Sequence, residues 1–411
     1  MIHKQKSSVL LTLILSILSN PAFAKDVHDP ISYRAVPGAI YLEGPGPLVG
    51  LGLGVENIYK GRVNVMVAKT LGNNSGTGFL INDIPFFSDN LSLTTFVASL
   101  DKGQFLNSYT RGLTSDSRVL QKGSGNGSGL IMNYKRPENK ILINFGLMQS
   151  TINLDGYENT DNSSEILLPS AFLAPVKTSS LFVNFNFDSN RQAENENDNW
   201  QWQSKLGIKA DTGRIGQADQ LVTSLQFSGD YVLKPYLSLN GRIQSSDSFI
   251  ISRQEKYESS DGVLSELKID CSSLSGTQES DCSELRDQLA NFIAKNNKYG
   301  SADAIGGSRG LRGFRELRFK AAHTRLASIE SRLKISHWLP GEFFSRKSNH
   351  LAIVPFYDWG FASDNESKVF DSSEYSSGIS LRLQAGELSL RLTAAKSRND
   401  NIAFFTVGKP W

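Results

Sequence analysis

This 411-residue sequence has no apolar run that could carry a helix through a membrane. Beyond the first 24 residues no stretch approaches the roughly 20 continuous apolar positions a helix needs to cross a bilayer. Neither sign of charge dominates: 43 Lys+Arg stand against 41 Asp+Glu, a formal net charge of +2, so nothing argues for nucleic acid or another strongly charged partner. The five histidines (His3, His28, His323, His337 and His350) show no metal-ligand spacing, and only two cysteines occur, Cys271 and Cys282. No metal and no cofactor is expected. Gly50-x-Gly52-x-Gly54 has no helix signal after it, which excludes a dinucleotide loop. No Pro- or Gly-rich linker divides the chain, so residues 25–411 are expected to form one domain.

The N-terminus is organised for export. His3, Lys4 and Lys6 form a basic start, residues 9–18 are an apolar core, and Ala22-Phe23-Ala24 supplies an A-x-A cleavage site. Residues 1–24 therefore read as a signal peptide, with the mature chain expected to start at Lys25. An exported chain meets an oxidising compartment, where Cys271 and Cys282 are expected to form a disulfide. Export without an apolar helix leaves a soluble β-sandwich or a β-barrel, because only helices and closed barrels satisfy their backbone in lipid.

Alternation separates the two. Near the C-terminus Leu388, Leu390 and Leu392 alternate with Ser389, Arg391 and Thr393, and Ile379, Leu381 and Leu383 alternate with Ser380, Arg382 and Gln384. Successive strand side chains point to opposite faces, giving one greasy and one wet face per run. The pattern extends to sixteen expected strands: 33–42, 48–58, 61–71, 77–87, 91–109, 118–136, 140–157, 179–190, 200–210, 220–233, 236–257, 323–338, 350–362, 374–385, 387–396 and 402–411. Even-to-odd connections tend to be tight, as at 59–60, 88–90, 137–139, 234–235 and 385–386. Odd-to-even ones are often long and polar, as at 158–178 and 363–373. Short turns at one end and long loops at the other mark a transmembrane barrel, with the short turns in the periplasm. Residues 192–199 and 341–349 are longer than that rule asks. Trp338 and Trp411 fall at the expected periplasmic rim, where amphipathic aromatics sit. Reading back from the carboxyl end, Trp411, Val407, Phe405 and Ala403 share a face with Lys409 and are similar to the terminal signal of outer-membrane barrels.

The longest loop, about 258–322, contains Leu311-Arg312-Gly313-Phe314, and the thirteenth strand contains Phe356-x-Asp358-x-Gly360. This pair resembles the signature of the BamA/TamA-type superfamily, the bacterial surface antigen family of outer-membrane assembly and translocation barrels. Its members carry V/I/L-R-G-F/Y in the sixth extracellular loop and F-x-D-x-G in strand thirteen. Residues 325–334, with Glu330 and Arg332, resemble the strand that follows the loop. The likeness covers about 304–411; the N-terminal half shares only the strand rhythm.

The resemblance implies an all-β, 16-stranded antiparallel transmembrane β-barrel whose long sixth extracellular loop folds inward. Arg312 would then reach Asp358 or its lumen-facing neighbour Glu330, with Phe356 and Gly360 beside them. Planar two-pronged pairing makes lysine a poor substitute there, and Gly313 is expected to let the backbone turn sharply. The alternative is a solvated basic loop, since Arg309, Arg312, Arg315 and Arg318 recur every third residue. In the same loop Leu285, Leu289, Phe292 and Ile293 lie on one helical face. They fit either a helical cap at the barrel mouth or a surface helix with no gating role.

The implied function is assistance to insertion or translocation of proteins, or of lipids, in the outer membrane; the alternative is a passive pore or structural barrel. Partners are outer-membrane lipid and unfolded client proteins or a separate periplasmic partner. The family's periplasmic POTRA modules do not fit between Lys25 and the first strand, so none is expected. No enzyme is expected either. Gly306-Gly307-Ser308-Arg309-Gly310 spells G-x-S-x-G, but that elbow needs a strand-to-helix turn in an α/β sheet.

Overall fold

The computed structural model describes residues 31–42, 46–59, 62–107, 110–113, 119–136, 141–159, 165–166, 176–188, 200–212, 218–267, 271–272, 275–308, 310–335, 349–385, 388–398 and 400–408. The expected signal peptide, Trp338 and Trp411 lie outside them. Sixteen long strands follow in order: β1 (Ser32–Leu42), β2 (Gly46–Glu56), β3 (Asn64–Gly72), β4 (Ser75–Phe86), β5 (Ser88–Asn107), β6 (Val119–Arg136), β7 (Ile141–Asn159) and β8 (Val176–Asp188). The second half comprises β9 (Trp200–Thr212), β10 (Asp219–Lys234), β11 (Leu237–Ser252), β12 (His323–Lys334), β13 (Asn349–Ser363), β14 (Glu374–Ala385), β15 (Leu388–Ser397) and β16 (Asn401–Gly408). A two-residue segment, Glu165–Ile166, adds to the end of β7.

Every strand pairs antiparallel with its neighbours in sequence, and all belong to one sheet. The pairings return to their start through β1 and β16, where Ile40 faces Thr406. The result is a 16-stranded antiparallel barrel, with no second sheet among the described residues to pack a sandwich core. Side-chain burial carries the same message. On β2, Val49, Leu51 and Leu53 are exposed, while Gly52 and Gly54 between them are buried. On β8, Leu181, Val183 and Phe185 are exposed; on β14, Ile379 and Leu381 are exposed, while Ser376 and Ser380 are buried. A band of exposed Leu, Val, Ile and Phe around a sheet is a liability in water and the normal covering of a barrel in lipid.

The two ends differ as alternation predicts, with local departures. Only Phe87 separates β4 from β5, and Pro235-Tyr236 separate β10 from β11, whereas residues 253–322 and 364–373 form long connections at the other end. The expected turn at 88–90 lies instead inside β5. The cause is a bulge in β4: pairing slips between Ile81 and Ile84, and Asp83 takes φ 60°. The slip moves the reversal to Phe87, itself at φ 58° and 93% exposed. Strand β11 ends at Ser252, short of the expected 257, because Glu255–Tyr257 coil into a 3-10 turn.

Candidate functional site

Between β11 and β12 the chain forms α1 (Ser260–Leu267), α2 (Thr277–Tyr299) and a hairpin that enters the lumen. Leu285, Leu289, Phe292 and Ile293 are all buried, as their helical spacing requires, and Cys271 is bonded to Cys282 with Cα atoms 5.8 Å apart. The helix is tied down by polar contacts. Asn297 accepts from the Gln254 backbone N–H at 3.0 Å and donates to its carbonyl at 2.9 Å. Arg111, from the β5–β6 connection, donates to Asp364 of the β13–β14 connection at 2.5–3.0 Å, to the Gly300 carbonyl at 2.7 Å, and to Asn296. Three connections are thus knotted around one guanidinium.

Beyond α2, Ile305 and Phe319 exchange backbone hydrogen bonds of 3.0 and 2.9 Å and close the inner hairpin. Its tip turns at Leu311–Phe314, where the Phe314 N–H donates to the Leu311 carbonyl at 3.1 Å. Leu311, Phe314, Phe319 and Ile305 pack with Leu326 and Ala362 of the wall. Phe314 and Phe319 meet edge to face at 4.9 Å. This apolar packing fixes the tip, and the tip aims Arg312.

Strand β13 alternates so that Val354, Phe356, Asp358, Gly360 and Ala362 face inward, all buried, with Asp358 0% exposed. Arg312 is 3% exposed. Its Nε donates to Asp358 Oδ2 at 2.9 Å, its Nη2 to Asp358 Oδ1 at 2.5 Å, and its backbone N–H to Oδ2 at 3.1 Å. Its Nη1 donates to Glu330 and its Nη2 also to Ser328 Oγ at 3.0 Å. The guanidinium lies 3.6 Å from the centre of the Phe356 ring. Asp358 takes further hydrogen bonds from Ser328 Oγ at 2.6 Å and Ser376 Oγ at 3.3 Å. Glu330 is shared with Arg382, whose Nη2 reaches both its oxygens at 2.9 and 3.0 Å, and with Arg332 Nε at 3.3 Å. A lysine has neither the planar fork nor enough donors to hold this set.

The two motif glycines are there for clearance. A Cβ on Gly360 would lie 2.4 Å from Leu311 Cδ1 and 2.8 Å from Ile305 Cδ1. A Cβ on Gly313 would lie 2.6 Å from Ser376 Cβ and 3.0 Å from the Lys396 backbone. Gly313 keeps a negative φ, so what excludes a side chain is the wall against it. The left-handed positions are Gly306 and Gly307, at φ 132° and 84°, where the chain bends toward the tip. The Ser308 hydroxyl and backbone N–H both donate to Glu316.

No family model and no curated protein matches the sequence. Among solved structures, BamA from Haemophilus ducreyi lacking POTRA domains 1-3 aligns with TM-score 0.53 and 12% identity, over 92% of this chain and 70% of that one. CdiB from Escherichia coli aligns with TM-score 0.56 and 10% identity, over 93% and 63%. CdiB from Acinetobacter baumannii gives 0.50 and 13%, over 91% and 59%. This chain has the barrel fold of BamA and CdiB. It spans less than two thirds of either CdiB chain, and at these identities the likeness is one of fold.

Within this BamA–CdiB-type barrel the hairpin brings together Leu311, Arg312, Gly313 and Phe314 with Phe356, Asp358, Gly360 and Glu330. Phe405 stands apart on the outward face of β16, half-exposed beside Ala403; the side chain of Val407 lies outside the described residues. Sequence reasoning missed Ser328, Ser376 and Arg382, although strand period puts all three on the inward face. It missed the Arg111–Asp364 knot altogether, for which no short motif exists.

Proposed function

We propose that this chain is a non-enzymatic outer-membrane barrel that assists insertion or passage of proteins, or of lipids, at that membrane. Outer-membrane lipid covers its apolar outer face, and an unfolded client or a separate periplasmic partner engages it from the short-turn end. The observation that carries this reading is an uneven ring of backbone pairing. The ladder from β1 to β2 runs over eleven residue pairs and that from β15 to β16 over eight, while β1 and β16 share a single pair among the described residues. Each backbone hydrogen bond contributes about 1 kcal/mol net, so the β1–β16 seam opens before any other ladder. The anchored hairpin holds the β12–β14 side rigid, which confines opening to the seam.

Purified barrel in liposomes, challenged with an unfolded barrel client, tests this reading. Client folding is expected to be faster than in empty liposomes. An Ile40→Cys/Thr406→Cys variant, oxidised across the seam, is expected to lose that acceleration, with the single-cysteine variants retaining it. Client folding no faster than in empty liposomes, alongside steady single-channel conductance, would leave a passive pore.

A further inference from the structure

Toward the short-turn end from the Arg312 anchor, the inner wall becomes basic. Arg332 on β12, Arg382 on β14 and Arg391 on β15 all point inward, since they alternate with outward Leu333, Leu381 and Leu392. Arg382 and Arg391 occupy directly opposed positions in the β14–β15 ladder. That register sets their Cβ atoms about 5 Å apart, and like charges so placed repel. Glu330 answers Arg382 through one nitrogen, Nη2. The Nε of Arg382 is buried and has no hydrogen-bond partner among the described residues. Arg391 lies within electrostatic reach of Arg382, Arg332, Arg312 and Glu330.

Among the described residues whose contacts reach this point, positive groups outnumber negative ones. Four guanidiniums, of Arg312, Arg332, Arg382 and Arg391, stand against the carboxylates of Glu330, Asp358 and Asp230, the last bonded to Arg332 at 2.9 Å. Lys334, the last residue of β12, extends the positive wall toward the short-turn end, within electrostatic reach of His350. The place is reachable, because the Arg332 side chain is 33% exposed. An arginine Nε without an acceptor among the described residues, on one of two arginines opposed in the ladder of a solvent-reached wall, is an arrangement that an oxyanion completes. Phosphate offers several acceptor oxygens, enough to take bonds from both arginines at once.

We propose that the Arg382–Arg391 pair is a binding site for a phosphate-type oxyanion entering the lumen from the short-turn end, either free in solution or carried by a phospholipid headgroup. This goes beyond the assembly reading and stands whether or not the barrel accelerates client folding.

The test uses the full folded chain in uncharged detergent and reads the temperature at which heat-modifiable mobility is lost. One arm titrates sodium phosphate against sodium chloride at matched ionic strength; the other dopes the micelles with phosphatidylglycerol or with phosphatidylcholine. A saturable upward shift with phosphate identifies the free anion, and a shift with phosphatidylglycerol alone identifies the headgroup. Arg391→Gln is expected to raise the half-saturating concentration roughly tenfold or more, the loss of one charge-assisted bond. Arg391→Lys retains part of the shift, and Arg253→Gln, at an exposed position, retains all of it. No shift in either arm, an equal shift in Arg391→Gln, or an Arg391→Gln chain that does not fold would each overturn the proposal.

Discussion

On β12 to β15 the inward face carries Glu330, Asp358, Arg382 and Arg391, whereas on β2 to β6 it is dominated by glycine and apolar side chains such as Gly52, Gly54, Leu80, Phe96 and Gly129. The first wall is incomplete alone. Asp358 has no contact with water and would be a buried, uncompensated charge without Arg312 from a connection that lies far along the chain. The second wall completes itself. Leu80, Phe96 and Ala98 pack with Met66, Ile131 and Met148, and the rings cover glycines. A Cβ on Gly129 would come within 2.4 Å of the Phe96 ring, and one on Gly146 within 2.3 Å of Phe182. Its polar groups form a rung of their own: Thr94 to Asn82 at 2.6 Å, Asn133 to Thr94 at 2.9 Å, Asn144 to Asn133 at 2.5 Å and Asn186 to Asn144 at 3.2 Å. A wall that needs a distant arginine makes docking of the hairpin nearly all-or-none. A wall that needs nothing leaves the adjoining β1 edge independent of the hairpin.

The largest expected effect follows from that asymmetry. Arg312→Ala leaves Asp358 and Glu330 without their shared cation, and removing one partner of a buried pair costs about 3–5 kcal/mol. Folded barrel resistant to protease and to heat-induced mobility change is expected to fall sharply, and Arg312→Lys to recover little of it. On the opposite wall Asn133→Ala removes two neutral hydrogen bonds, each contributing about 1 kcal/mol. Equal losses in the two variants would break the comparison between the walls.

Next in size is Gly360→Ala. The added methyl meets Leu311 and Ile305, and overpacking of this kind costs roughly 1–3 kcal/mol. Pairing it with Leu311→Ala is expected to return part of the loss, because the space is the same. A double variant no better than the sum of its singles would show that the glycine serves some purpose other than clearance.

Much of this architecture is legible in the sequence. Period-two alternation located sixteen strands, and on β13 it put Asp358 inside and Trp359 outside. The Leu311–Phe314 and Phe356–Gly360 motifs named both halves of the anchor. What alternation cannot supply is register. It says that Ser328, Ser376 and Arg382 face inward, but their meeting at Asp358 and Glu330 depends on pairings such as Ser328 with Asp358 and Asp358 with Ser376. The Phe87 turn was illegible for a related reason: the Asp83 bulge shifts the count, and its carboxylate is held by Arg62 at 3.3 Å and Lys135 at 3.4 Å, from other strands or turns. The Arg111 knot joins three connections, and a pattern read along one segment does not reach across them.

The smallest expected effect is local and belongs to the loop side of the comparison. Lys320, buried near the end of the long loop with its Nζ 5.3 Å from the centre of the Phe292 ring, is pushed down to about 7 by burial, with the Arg111 charge adding to it. Its ordinary value is 10.5. Between those values the opened loop binds more protons than the docked one, so docking strengthens as pH rises from about 7 to 10.5 and the burial cost is greatest below 7. Hydrogen exchange of α2, corrected for the intrinsic rate, is expected to slow across that window by up to tenfold per pH unit. Lys320→Met is expected to abolish the dependence and to raise protection at pH 7, while the Asn82–Asn186 rung on the far wall keeps the same protection throughout. A pH dependence that survives in Lys320→Met would assign it to another group, and one shared by the far wall would show that the loop and the glycine-lined strands are not independent after all.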